Sequence, residues 1–120
     1  MTQPTDTPAP SPLDTDAFLR TLRGDSALAA ALAALFLVEC PRQMDAVRQA
    51  VAADDAKALE QAAHLLRGSV SNFVATEATA AAARLEAFGR AGDLSLATGA
   101  LRTFEAALDR LTPALREFAA

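Results

Sequence analysis

Tryptophan and tyrosine are missing from this chain, and cysteine and histidine occur once each. With Cys40 alone, no internal disulfide can form. One cysteine and one histidine also fall short of the roughly four ligands of an ordinary zinc site, so no metal is assigned. Strand-favouring aromatic and β-branched residues are scarce. No run of basic residues appears, and the formal net charge is −4. Nucleic-acid binding takes a clustered basic patch, so it is not expected. No segment has the ~18 uninterrupted apolar residues of a membrane span. The stretch from Ala27 to Val38 is apolar but short, and Glu39 and Pro41 follow it. The start lacks the basic and apolar regions of a signal peptide. A lone cysteine fits a reducing compartment. These absences together lead to the expectation of a cytoplasmic chain with no membrane partner.

What the chain does have is alanine and leucine, both strong helix formers. Its 120 residues are one domain's worth, enough to bury a core without disulfides or metal. Pro4, Pro8, Pro10 and Pro12 break any helix over residues 1–12, which read as a disordered tail. The domain is expected over 13–120.

A short helix is expected from Asp14, a good cap, to Arg23, with Gly24 closing it. A long helix follows from Asp25 or Ser26 to about Ala53. Its apolar residues Leu28, Leu32, Leu35, Phe36, Met44, Val47 and Val51 recur at helical spacing. Their phase continues across Pro41, which predicts a kink rather than a stop. Asp54 and Asp55 mark a third helix, from about Asp55 to Val74, with Leu59, Ala62, Leu66, Val70 and Phe73 facing inward. Thr76 is expected to cap a fourth, with Ala80, Ala83, Leu85 and Phe88 inward and a close at Gly89 to Gly92. Asp93 would cap a fifth, carrying Leu94, Leu101, Phe104, Leu108, Leu111 and Leu115, weakened locally at Gly99 and Pro113. The fold class expected is all-α: an antiparallel up-and-down four-helix bundle with a short extra N-terminal helix across one end.

On a helical wheel His64 points roughly opposite to the third helix's apolar stripe. Lys57, Glu60, Gln61, Arg67, Gly68 and Ser71 share its face. A neutral imidazole is a nucleophile. Arg67, one turn on, offers a fork of donors suited to phosphate oxygens. Gly68 costs a helix interior roughly 1 kcal/mol against Ala. Helical side chains lean toward the N-terminus, so a side chain at 68 would cover His64, and glycine leaves the ring open. Ser71 adds a hydroxyl. Each signal alone has a plainer reading: a solvated histidine, a packing glycine, a solvated arginine. Leu65 lies at the border of the core and could either meet a partner or pack on the short first helix.

The stretch Ala63-His64-Leu65-Leu66-Arg67-Gly68-Ser69 resembles the signature of histidine-containing phosphotransfer (HPt) domains. Leu35 to Arg42, with its mid-helix proline, looks like that family's preceding helix. Leu85-Glu86 and Gly92-Asp93-Leu94 resemble its later turn. The likeness covers about residues 13–118. It implies a phosphorelay intermediate. His64 would accept a phosphoryl group from a receiver-domain aspartate and pass it to another receiver, attacking through the outer nitrogen Nε2. Arg67 would stand in for the usual lysine, Gly68 would give clearance, and Ser71 would support the phosphate. Lys57, Gln61 and Leu65 would meet the partner. Receiver domains ordinarily bring magnesium, so no metal or cofactor is assigned to this chain. Val70 departs from the pattern where a second small residue is common, and Val74 where a glycine commonly follows.

The resemblance implies a phosphocarrier, not an enzyme. A kinase is excluded by length and by the lack of a glycine-rich nucleotide loop. A kinase dimerisation hairpin needs two long helices paired between chains, whereas this chain has helices enough to close a monomer. A bundle that only binds or sequesters a receiver remains the alternative.

Overall fold

The computed structural model describes residues 13–120. The expected tail over residues 1–12 lies outside them. Every regular element among the described residues is helical: α1 (Thr15–Thr21), α2 (Ser26–Ala52), α3 (Ala56–Ser71), α4 (Thr76–Ala91) and α5 (Ala97–Ala119).

Aspartates start the first three helices. Asp14, Asp25 and Asp55 each accept, at 3.0 Å, the backbone N–H three residues on, satisfying a donor the helix cannot pair. Left-handed residues end the first four: Arg23, Asp54, Val74 and Gly92, with φ between 53° and 72°. This reverses the chain within three to five residues. Asp54 therefore closes α2 and leaves the opening of α3 to Asp55 alone. For the same reason α3 stops at Ser71 instead of reaching Val74, and Phe73 is buried from the turn, not from the helix.

The two later caps differ from expectation. After the left-handed turn at Val74, Ala75 takes the cap position and Thr76 is already helical. Asp93 accepts the N–H of Ser95 at 3.0 Å, a local turn that delays α5 to Ala97. α2 runs unbroken through Pro41 and α5 through Gly99 and Pro113.

α2 packs on α3 and α5, and α4 packs on the same two; α1 packs on α2. The core faces are richer in alanine than the leucine spacing suggested. α2 buries Ala29, Ala33, Phe36, Cys40, Met44, Val47 and Ala50, while Leu28 and Leu35 are exposed and Leu32 and Val51 half-buried. α3 buries Ala63 in place of Ala62. α4 buries Ala78, Ala81, Ala82, Leu85, Glu86 and Gly89, with Ala80 and Ala83 exposed and Phe88 half-buried. α5 buries Leu101, Phe104, Leu111 and Leu115 as expected, with Leu94 and Leu108 half-buried. A methyl fits either face of a helix, so alanine carries little information about which face is inward.

One end is closed by aromatics. Phe18 of α1 lies 5.1 Å from Phe73 and 5.3 Å from Phe118, and Phe73 lies 5.2 Å from Phe36. The short helix is thereby pinned where α2, α5 and the turn after α3 converge. The apolar run of α2 is interrupted at Glu39, Pro41 and Arg42, yet the helix passes a coarser test of length and composition. An 18-residue window within it has a mean hydropathy of 1.4, long and apolar enough to cross a membrane. Its inner face is packed against α3 and α5.

Candidate functional site

α3 presents His64 to solvent because Leu59, Ala63, Leu66 and Val70 take the inward positions at spacings of four, three and four. The imidazole is 63% exposed. It is nevertheless anchored. Its Nδ1 lies 3.0 Å from Oε2 of Glu86 on α4. Among the described residues Glu86 is the one charged residue in the core, 5% exposed.

The carboxylate is held from three sides. Arg67 Nε donates to Oε1 at 2.5 Å, Arg90 Nη2 donates to Oε2 at 2.9 Å, and His64 Nδ1 shares Oε2. Arg90 Nε reaches Glu60 at 3.3 Å. The Arg67 hydrogen bond holds the Glu86 carboxyl below the usual carboxylate range. Burial pushes the other way, and the His64 bond adds to the lowering. An ionised carboxylate can only accept. Nδ1 must therefore be the donor, and it cannot also accept from Arg67 Nη2, which stands 3.3 Å away. With the proton fixed on Nδ1, a neutral ring carries its lone pair on Nε2. No described residue hydrogen-bonds Nε2.

His64 lines an open depression of about 630 Å³ with Glu60, Gln61, Leu65, Glu86 and Arg90. Leu65 is 63% exposed, which removes the reading that packs it on α1. Gly68 has no atom within 4 Å of where a Cβ would stand, so it is not a packing glycine and the space beside His64 is clear. The packing glycine is Gly89: its Cβ would fall 2.5 Å from the backbone nitrogen of Glu60.

The other expected residues are more dispersed. Arg67 and Ser71 line a neighbouring depression of about 430 Å³ toward Val74 and Thr79. The Ser71 hydroxyl donates to its own Gly68 carbonyl at 2.9 Å. Lys57 is exposed in the first turn of α3, outside the His64 depression. Arg67 spends its Nε on Glu86, which leaves its two Nη groups.

Sequence reasoning gave Glu86 no role at the site, nor Arg90. Glu86 carried a signal all the same: it interrupts the small, apolar ridge Ala82, Leu85, Gly89 at helical spacing. A carboxylate on a core ridge needs a partner, and Arg90 one turn on and the exposed His64 face were the available ones. The lone thiol is not a competitor. Burial pushes Cys40 up to about 11, so it stays protonated. Among the described residues no group of three or more potential metal ligands comes together.

A comparison with protein-family models matches residues 31–114 to one described as the Hpt domain. No curated protein and no solved structure matches the chain.

Proposed function

The chain belongs to the Hpt domain family, whose members are phosphocarrier modules that meet receiver domains in two-component phosphorelays, and from that premise we propose that it carries a phosphoryl group on His64. The observation that supports this most is the tethering of Nδ1 to the buried Glu86, which turns a ring with a free Nε2 outward beside the open space at Gly68.

In this reading, His64 accepts from the aspartyl phosphate of one receiver and donates to the aspartate of another. The helices close as an antiparallel up-and-down four-helix bundle that works as a cytoplasmic monomer. The receiver docks over Gln61, His64, Leu65 and Gly68, with Lys57 at the margin. The exposed Leu65 side chain supplies an apolar contact, and docking excludes water from the acyl phosphate. The two Nη groups of Arg67 take phosphate oxygens while its Nε keeps Glu86 in place. Ser71 contributes only if its hydroxyl leaves the Gly68 carbonyl. Magnesium, which receivers bring, is assigned to the partner's side of the complex.

The test is transfer from a panel of phosphorylated receiver domains to this protein and to His64→Gln. Acid-labile, base-stable label on the parent alone is the expected result. Label retained in the variant would overturn the assignment of His64. Binding without label from any receiver would favour a bundle that only sequesters its partner.

A further inference from the structure

The contact between His64 and Glu86 has a consequence for the loaded state. Attack by Nε2 on an acyl phosphate forms an N–P bond and breaks the P–O bond, whose electron pair leaves with the aspartate carboxylate. The ring still bears its Nδ1 proton, so the product is a phosphoimidazolium. Onward transfer runs the same path backward: Nε2–P breaks, a new O–P bond forms, and the departing group is neutral imidazole. No proton moves in either direction provided Nδ1 keeps its hydrogen throughout. If Nδ1 loses it, the departing group becomes imidazolate, a far poorer leaving group.

We infer that Glu86 is the positioning residue that keeps the Nδ1 proton on phosphorylated His64, so that the phosphoryl group stays transferable across the neutral pH range. The inference rests on the phosphocarrier reading of His64. Its geometric basis is the 3.0 Å contact from a carboxylate that is itself immobile, held by Arg67 from α3 and Arg90 from its own helix. The charged groups facing the ring are Glu86 and Arg90 from α4, and Arg67 and Glu60 from α3. Two are cations and two are anions. Arg90 is shared with Glu60, and Glu86 alone of the four touches the ring through an acceptor. A cationic ring next to a fixed anion is favoured over its neutral form. The arginines do not reverse this, because each is already paired with a carboxylate: Arg67 through Nε with Glu86, and Arg90 with Glu86 and Glu60.

Glu86 also explains the arrangement of the arginines. A buried carboxylate left to itself would take up a proton and then offer a hydroxyl to the ring. Arg67 and Arg90 keep it an acceptor. The i+3 position of Arg67 thus acts on His64 through Glu86.

The test needs no natural donor. His64 is the only histidine, so phosphoramidate can load the full-length, ¹⁵N-histidine-labelled chain at one site. The ring nitrogens are then read by ¹⁵N NMR and loss of the phosphoryl group by ³¹P NMR, from about pH 6 to about pH 8. Glu86→Gln, Glu86→Asp and the parent in concentrated urea are run beside the folded parent, with helicity checked by circular dichroism. In the folded parent Nδ1 should stay protonated and the rate of loss should change by no more than about twofold over this range. In Glu86→Gln and in urea the Nδ1 proton should be lost within it and the rate should fall by up to about tenfold per pH unit beyond. Glu86→Asp should recover part of the parent's profile. A folded parent that loses its Nδ1 proton at the same pH as the chain in urea overturns the inference, whatever the variants do. So does a Glu86→Gln profile that superimposes on the parent's. If the ring behaves as expected but no phosphorylated receiver loads His64, the phosphorelay reading fails and the role of Glu86 stands.

Discussion

Gly89 of α4 crosses Glu60 of α3 with backbone against backbone: a Cβ at Gly89 would sit 2.5 Å from the Glu60 nitrogen and 2.8 Å from the Ala56 carbonyl oxygen. Neither neighbour is a flexible side chain that could swing aside. Glu86 lies one turn before Gly89 on α4, and His64 lies one turn after Glu60 on α3. The close crossing therefore sets the spacing at which the buried carboxylate meets the ring.

Gly89→Ala should consequently destabilise the fold by about 1–3 kcal/mol, the usual cost of overpacking. It should also loosen the His64–Glu86 contact. Urea unfolding measures the first effect. The ¹⁵N shift of Nδ1 in the folded protein measures the second. A variant as stable as the parent would mean that the helices do not approach this closely.

Gly68 should behave in the opposite way. It is helical, exposed and has nothing near its missing Cβ. Gly68→Ala should raise stability by about 1 kcal/mol, the helix-propensity difference. Gly68→Gln should fold equally well but slow transfer from a receiver, because its side chain leans over the imidazole. Unchanged transfer by Gly68→Gln, measured in the same reaction that labels His64, would remove the clearance argument.

Val74 sits at φ 53°, where a β-branched residue is strained. A left-handed L-residue costs roughly 1–2 kcal/mol. Val74 is half-buried against the core, so removing its side chain also loses some apolar contact. The two effects are of similar size and opposite sign. Val74→Gly should thus leave stability within about 1 kcal/mol of the parent. Val70→Gly, at a fully buried helical site, should cost at least about 3 kcal/mol from the cavity and lost helix propensity together. Thermal or urea unfolding of the pair tests the contrast. It also gives the departure at 74 a physical meaning: it is a cost in the turn, at some distance from the phosphate chemistry.

The parts of this structure that could be read in the sequence were those set by residues with one meaning. Asp14, Asp25 and Asp55 mark helix starts because a short carboxylate reaches a free N–H. The histidine face was legible from the polar residues that share it. Alanine has no such single meaning, so the inward faces of α2 and α4 were placed wrongly at Leu28, Leu35, Ala80 and Ala83. Thr76 and Asp93 look like caps but stand beside turns that determine where their helices begin. Glu86 was missed as a site residue because its partners on α3, Arg67 and His64, are 19 and 22 positions away. Only the α3–α4 packing brings them together.

The same buried carboxylate makes stability depend on acid. Arg67 holds the folded-state pKa of Glu86 below its unfolded value, with His64 acting in the same direction. A group shifted downward contributes stability that is fully present above the unfolded value, about 4.3 for Glu. That contribution is lost as pH falls through the lower folded value. Glu86→Gln removes the charge while keeping the shape. Near pH 7 it should lose about 1.5–3 kcal/mol, the range for hydrogen bonds to a charged group. The gap between variant and parent should then narrow steadily below about pH 4, because the parent's carboxyl is neutralised there and the amide is already neutral. Urea midpoints measured across that range decide the matter. A gap that stayed constant into acid would show that Glu86 gains nothing from its charge, and that the cluster around His64 is held by shape alone.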